Sequence, residues 1–158
     1  MAKSDSLDKI DSALFNVMRI AKRPAYWDEF QRKADVQIDR PAAAILMMLS
    51  LHPLQFQEVV SRLGVEAPSI SRKVHELEHQ GLIRRQPTED KRVHMLALSA
   101  EGSAIAAKIK NARRELLSEI LSDWSVADTE QLSELMARLA QEYKTRYGAV
   151  KLNQDGDK

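Results

Sequence analysis

Residues 56–85 read FQEVVSRLGVEAPSISRKVHELEHQGLIRR, and this stretch decides the fold. Phe56, Val59, Val60 and Leu63 recur at helical spacing, so Gln55 to Leu63 is a short helix with those four side chains inward. Gly64-Val65-Glu66 is a tight link, and a second helix starts near Ala67-Pro68, where proline suits a first turn. On that second helix Ile70, Val74 and Leu77 form one stripe to be buried. At ~100° per residue Arg72 points almost directly away from the stripe, flanked by Pro68, Ser69, His75 and Glu76. A helix that buries one face and presents Arg and Ser on the other is what reading a major groove requires. Gly81 then ends it, as a left-handed residue beyond a helix end does.

Working outward, Leu82-Ile83-Arg84-Arg85 and Val93 to Leu98 read as two strands of a ribbon. Pro87-Thr88-Glu89-Asp90-Lys91 is the polar turn between them. The outline is a winged helix-turn-helix. Upstream, Asp39-Arg40-Pro41 is a helix start with Asp39 placed to cap. The run Ala42 to Leu51 is almost wholly apolar, which predicts a helix buried all round and stopped by His52-Pro53. Further upstream, Asp5 or Ser6 caps a helix with Leu7, Ile10, Leu14, Val17 and Ala21 at alternating three-four spacing. Pro24 kinks or divides it, and Trp27 and Phe30 resume an apolar face until about Ala34. This first helix is either a core helix or one shared with a partner subunit.

Downstream, Ser99 caps a long helix from about Ala100 to Ser122, with Ile105, Ile109, Ala112, Leu116 and Ile120 along one side. Ser125-x-x-Asp128, a relative of the capping box, opens a last helix. Its apolar face is Leu132, Leu135, Met136, Leu139 and Tyr143. A helix from 100 to 122 spans roughly 30 Å, more than one compact motif covers. The terminal helices therefore read as an intertwined dimer platform beside the winged motif. The fold class expected is mainly α. One domain covers residues 1–158, with dimerisation helices in 1–38 and 100–150 and the winged DNA-binding part in 39–99.

Composition bounds the function. With 158 residues, 44% hydrophobic and 30% charged, the chain has material for one globular core. The formal net charge is +1, so a nucleic-acid surface has to be a local patch. There is no cysteine, which excludes disulfides, thiol redox sensing and cysteine-based zinc sites. No signal peptide or apolar run of ~20 residues is present, and a cytoplasmic protein with no membrane association is expected.

Two segments, in this order and separation, resemble the MarR family of winged-helix regulators. The first is Gly64-Val65-Glu66-Ala67-Pro68-Ser69-Ile70-Ser71-Arg72, followed by Leu77 and Gly81-Leu82-Ile83-Arg84-Arg85. The second is Asp90-Lys91-Arg92 leading into Leu98-Ser99-Ala100-Glu101-Gly102, similar to that family's Asp-x-Arg wing and the start of its dimer helix. The resemblance implies a homodimer on a pseudo-palindromic operator in double-stranded DNA, often released by a small, frequently aromatic effector. Carried over by position, Pro68, Ser69, Ser71, Arg72 and Lys73 lie in or beside the recognition surface. Arg84 and Arg85 become phosphate contacts or strand-edge charges. Arg92 enters the minor groove, whose negative potential suits a guanidinium, and Asp90 steadies it. The effector pocket lies between the dimer helices and the winged motif, with Trp27, Phe30 and Met47 as candidates to line it. Two departures stand out: Glu66 replaces a usual Ser or Thr cap, and Pro24 interrupts a first helix that is often continuous.

His75-Glu76-Leu77-Glu78-His79 matches the H-E-x-x-H pattern in which two histidines hold zinc and the Glu acts as base. Here Leu77 belongs to the buried stripe, and no third ligand offers itself downstream. No Ser/His/Asp triad, phosphate-cradling glycine loop or carboxylate pair emerges, so neither an enzyme nor a cofactor or metal site is expected. The sequence thus leads to a DNA-binding regulator. The alternatives are a helical protein-interaction module and a zinc-binding protein using His75 and His79.

Overall fold

The computed structural model describes residues 2–88 and 94–148. Two helices open the chain, α1 (Ala2–Ala21) and α2 (Pro24–Ala34). Asp5 and Ser6 lie inside α1, so neither caps it. Pro24 divides the helices as expected, because it has no N–H to donate and cannot continue α1. Asp35 ends α2 in the left-handed conformation at φ 50.

Helix α3 (Arg40–Leu49) starts where Asp39 caps it: the carboxylate accepts a 2.8 Å bond from the Ala42 N–H. It stops before His52-Pro53, and it is not buried all round. Ala42, Ala43, Ile45, Leu46 and Leu49 are buried, Met47 and Met48 are half-buried, and Leu51 beyond the end is 77% exposed. The apolar run serves a core on one side and a cleft on the other.

Strand β1 (Leu54–Gln55) precedes α4 (Phe56–Leu63), whose Glu58 accepts from the Gln55 N–H at 2.8 Å. Gly64 at φ 61 turns the chain into α5 (Ala67–His79), with Ile70, Val74 and Leu77 buried as the spacing predicts. Gly81 at φ 72 closes α5: its N–H reaches Glu78 O, and that of Leu82 reaches Leu77 O at 2.9 Å.

Strands β2 (Ile83–Pro87) and β3 (His94–Leu98) pair antiparallel, with Ile83 opposite Leu98 and Pro87 opposite His94. Pro87 therefore belongs to a strand, at an edge where a missing N–H is tolerated. The sheet has three strands in the order β1-β3-β2, not two, because Leu54 pairs with Leu96. The wing residues Asp90 and Arg92 lie outside the described residues.

Helix α6 (Ala100–Ile120) is capped by Ser99, which accepts from the Gly102 N–H at 2.9 Å. Ala106, Ile109, Ala112 and Leu116 join the core under α2 and α3, while Ile105 is half-buried and Ile120 is exposed. Each fully buried Leu or Ile contributes about 1.5–3 kcal/mol. Lys33 of α2 reaches across to Glu115 and Glu119 of α6, with its side chain only 6% exposed. The hydrogen bonds to Glu115 and Glu119 raise its pKa.

Helix α7 (Val126–Tyr147) is capped by Ser125, whose hydroxyl accepts from the Asp128 N–H at 3.1 Å and donates to that carboxylate at 2.6 Å. It has no buried residue: Leu135, Met136 and Tyr143 are exposed and Leu132 and Leu139 half-buried. The apolar side chains of α1 are likewise uncovered, including Leu7, Ile10, Val17 and Met18. No described helix is long and apolar enough to cross a membrane.

Candidate DNA-reading surface and effector cleft

Helix α5 is held against α3, α4 and the sheet by the Ile70-Val74-Leu77 stripe, which leaves its opposite face to solvent. Pro68, Ser69, Ser71, Arg72, His75 and Glu76 are all exposed there. The guanidinium of Arg72 has no hydrogen-bond or ion-pair partner among the described residues. It is a rigid five-donor fork carried on a helix fixed by three buried side chains.

The other cations around α5 are not equivalent. Lys73 donates to Asp39 Oδ2 and Glu76 Oε2, its side chain is 18% exposed, and its pKa is raised by the bonds to Asp39 and then Glu76. It is turned towards the start of α3 and not out with Arg72. Arg85 shares a strand face with the buried Ile83 and binds Glu78 of α5 at 2.7 Å, so it braces β2 against the helix. Arg84, on the opposite strand face, is exposed and has no partner among the described residues.

These pairings matter electrostatically. Glu76 and Glu78 stand on the same helix as Arg72, where bare carboxylates would offset its positive charge. Lys73 is shared between Asp39 and Glu76, and Arg85 pairs with Glu78, so Arg72 and Arg84 are left as cations with no carboxylate partner among the described residues. Glu66 precedes α5 with no side-chain cap bond. His75 and His79 are exposed one turn apart, and among the described residues no group of three or more His, Cys, Asp or Glu is placed to hold a metal ion.

A second concavity of about 310 Å³ lies between α2, α3 and α6, lined by Tyr26, Met47, Lys110, Arg113, Arg114, Leu117 and Ile120. Of the three residues expected to line an effector pocket, only Met47 does. Phe30 is 2% exposed and belongs to the core, and Trp27 stacks on it with ring centroids 4.6 Å apart. Lys110, Arg113 and Arg114 have no carboxylate partner among the described residues, a cationic rim that helical spacing alone did not flag. Their spacing puts them on the exposed side of α6, and only the position of α2 turns that side into a cleft wall.

A recognition helix seated by a buried stripe, with a β-ribbon beside it and a long helix behind, defines a winged helix-turn-helix DNA-binding protein. A family model described as MarR family matches residues 36–92. The HTH-type transcriptional regulator YwoH of Bacillus subtilis is 28% identical over 100 residues, which cover 63% of this chain and 73% of YwoH. A MarR family protein from Bacillus stearothermophilus has the same fold, with a TM-score of 0.76 at 18% identity over 89% of this chain and 97% of that one. So does the transcriptional regulator Tm0710 of Thermotoga maritima, with a TM-score of 0.63 at 19% identity over 90% of this chain and 99% of that one. Residues 36–92, which hold the helix-turn-helix and the start of the wing, are thus similar to the MarR family, and the chain shares the fold of the proteins it resembles.

Proposed function

We propose that the protein acts as a homodimeric repressor that reads a pseudo-palindromic operator and is released by a small anionic aromatic effector. The observation that carries the DNA reading is Arg72, an unpartnered guanidinium on the outward face of a helix locked by Ile70, Val74 and Leu77. Ser69, Ser71 and Arg72 contact base edges, with Pro68 fixing the start of the helix. Arg84 takes a phosphate. Lys73 and Arg85 hold the helix in place, and Asp90 with Arg92 forms the minor-groove tip of the wing. A phosphate contact fixes register, whereas base contacts carry sequence.

The uncovered apolar faces of α1 and α7 support a second copy of the chain as partner. Two helices of 20 and 22 residues do not stay in water with that much apolar surface bare. Residues 1–38 and 100–150 supply the dimer platform and residues 39–99 the reading part. A two-fold dimer then sets two recognition helices about one helical turn of DNA apart, ~34–36 Å.

Binding to DNA from upstream of the protein's own gene, followed by fluorescence anisotropy, tests this reading. Preference over scrambled duplex and a steep loss with salt are expected, at ~0.9 in the log–log slope per phosphate neutralised. Equal, weak binding to both duplexes and to a random-sequence pool would sink it.

The cleft beside Tyr26 and Met47 supports the effector part, because three cations over an apolar floor favour an aromatic carboxylate over a neutral ring. With operator bound, a panel of aromatic carboxylates is expected to contain members that weaken DNA binding. Their neutral amides are expected to do nothing. Amides that match their acids would refute the anionic assignment.

A further inference from the structure

Two adjacent residues join the N-terminal helices to the recognition helix. The Asp39 carboxylate uses both oxygens: Oδ1 accepts from the Ala42 N–H at 2.8 Å and caps α3, while Oδ2 accepts from Lys73 Nζ on α5, 34 residues away. Arg40 faces the other way. Its Nη1 donates to Ala21 O at 2.7 Å and its Nη2 to Arg23 O at 3.0 Å. Its guanidinium carbon sits 4.6 Å above the Trp27 ring, and Trp27 is stacked on the buried Phe30.

Ala21 is the last residue of α1, and its carbonyl is one that a helix end leaves unsatisfied and that the helix dipole makes attractive to a cation. Pro24 prevents the two helices from merging across the break. Within the chain most apolar side chains of α1 are exposed, so little apolar packing fixes its direction beyond the grip of Arg40 on the break. Capping α3 needs only one oxygen of Asp39; the second reaches the recognition helix.

We propose that Asp39 and Arg40 form a joint that sets the angle between α1 and α5, and thereby the half-site spacing that the dimer accepts. They are positioning residues for DNA recognition and not DNA contacts. The inference rests on α1 belonging to the dimer platform, as argued above.

Three variants separate the joint from simple stability. Asp39→Asn keeps a good helix cap but gives up the charge that holds Lys73. Lys73→Met removes the other end of that link. Arg40→Lys keeps a cation but not the fork that spans two carbonyls. The probe is the best duplex selected from a random library by the wild-type protein, with one or two base pairs added or removed between its half-sites. Each base pair moves the half-sites ~3.4 Å apart and turns them by about a tenth of a helical turn.

Wild-type protein is expected to prefer the selected spacing at least tenfold. The variants, still dimeric by light scattering, are expected to flatten that preference to within about threefold. Folded, dimeric variants that keep the wild-type ratio between spacings would overturn the joint, whether or not their overall affinity falls. Should Arg40→Lys fail to fold, Asp39→Asn and Lys73→Met decide the question alone. A wild-type protein that selects no duplex at all would remove the DNA-reading proposal and this inference with it. That result is distinct from a selective wild type whose variants keep its spacing ratio.

Discussion

Arg72→Ala is expected to weaken binding to the selected operator roughly 5- to 150-fold, the ~1–3 kcal/mol that one good bidentate base contact contributes to discrimination. Scrambled duplex, bound through phosphates, should lose far less. The asymmetry follows from geometry. Arg72 is exposed, unpaired among the described residues, and opposite the buried stripe, so removing it costs the fold almost nothing and the interface its main donor. Arg84→Ala is the contrasting case: its loss should be similar on every sequence and should lower the salt slope by about one. Equal losses on operator and scrambled DNA for Arg72→Ala would move it from base reader to phosphate contact. Anisotropy titrations of the two variants on both duplexes at two salt concentrations make the distinction.

The second large effect falls on stability. A Cβ built on Gly102 would stand 1.9 Å from the carbonyl oxygen of Leu82 and 2.9 Å from its carbon. That carbonyl is fixed in place, because it accepts from the Ser99 N–H at 3.0 Å and the Ser99 hydroxyl at 3.2 Å. Ser99 in turn caps α6 through the Gly102 N–H. The obstacle is backbone, with no rotamer to swing aside, so Gly102→Ala must part α6 from the start of β2. Overpacking of this kind costs about 1–3 kcal/mol and sometimes more, and the upper end is expected here. At 2–4 °C per kcal/mol for a chain of this size, the melting temperature should fall by roughly 6–12 °C. Ala104→Gln, on the exposed side of the same turn, should change stability by no more than ~0.5 kcal/mol. Thermal unfolding followed by circular dichroism compares them, and a Gly102→Ala protein melting with the wild type would refute the close-approach explanation. The same contact explains why a Ser-Ala-Glu-Gly run follows β3: the chain must turn from strand to helix within reach of Leu82.

The two effects show how differently the two kinds of residue are encoded. Arg72 was legible from helical spacing alone, since its direction depends only on the residues within two turns of it. Gly102 was quoted with its neighbours in the sequence for its place in a motif, but the carbonyl that demands a glycine lies 20 positions earlier.

What the sequence determined by itself was everything governed by neighbours. The caps at Asp39, Ser99 and Ser125, the break at Pro24, the turns at Gly64 and Gly81 and the stripe Ile70-Val74-Leu77 all follow from φ preferences, missing donors and the 3.6-residue period. These choices are made within a turn or two of chain, where propensity and hydrogen bonding are local. Tertiary structure alone decided the rest. It paired Leu54 with Leu96 to add a third strand, turned Lys73 from the outward face of α5 to Asp39, and set Arg85 on Glu78. It also sent Phe30 into the core, and made a cationic cleft wall of one face of α6. Each of those outcomes depends on which distant group arrives alongside. A charged or aromatic side chain is equally suited by its local sequence to several partners, and only packing of the whole chain selects one of them.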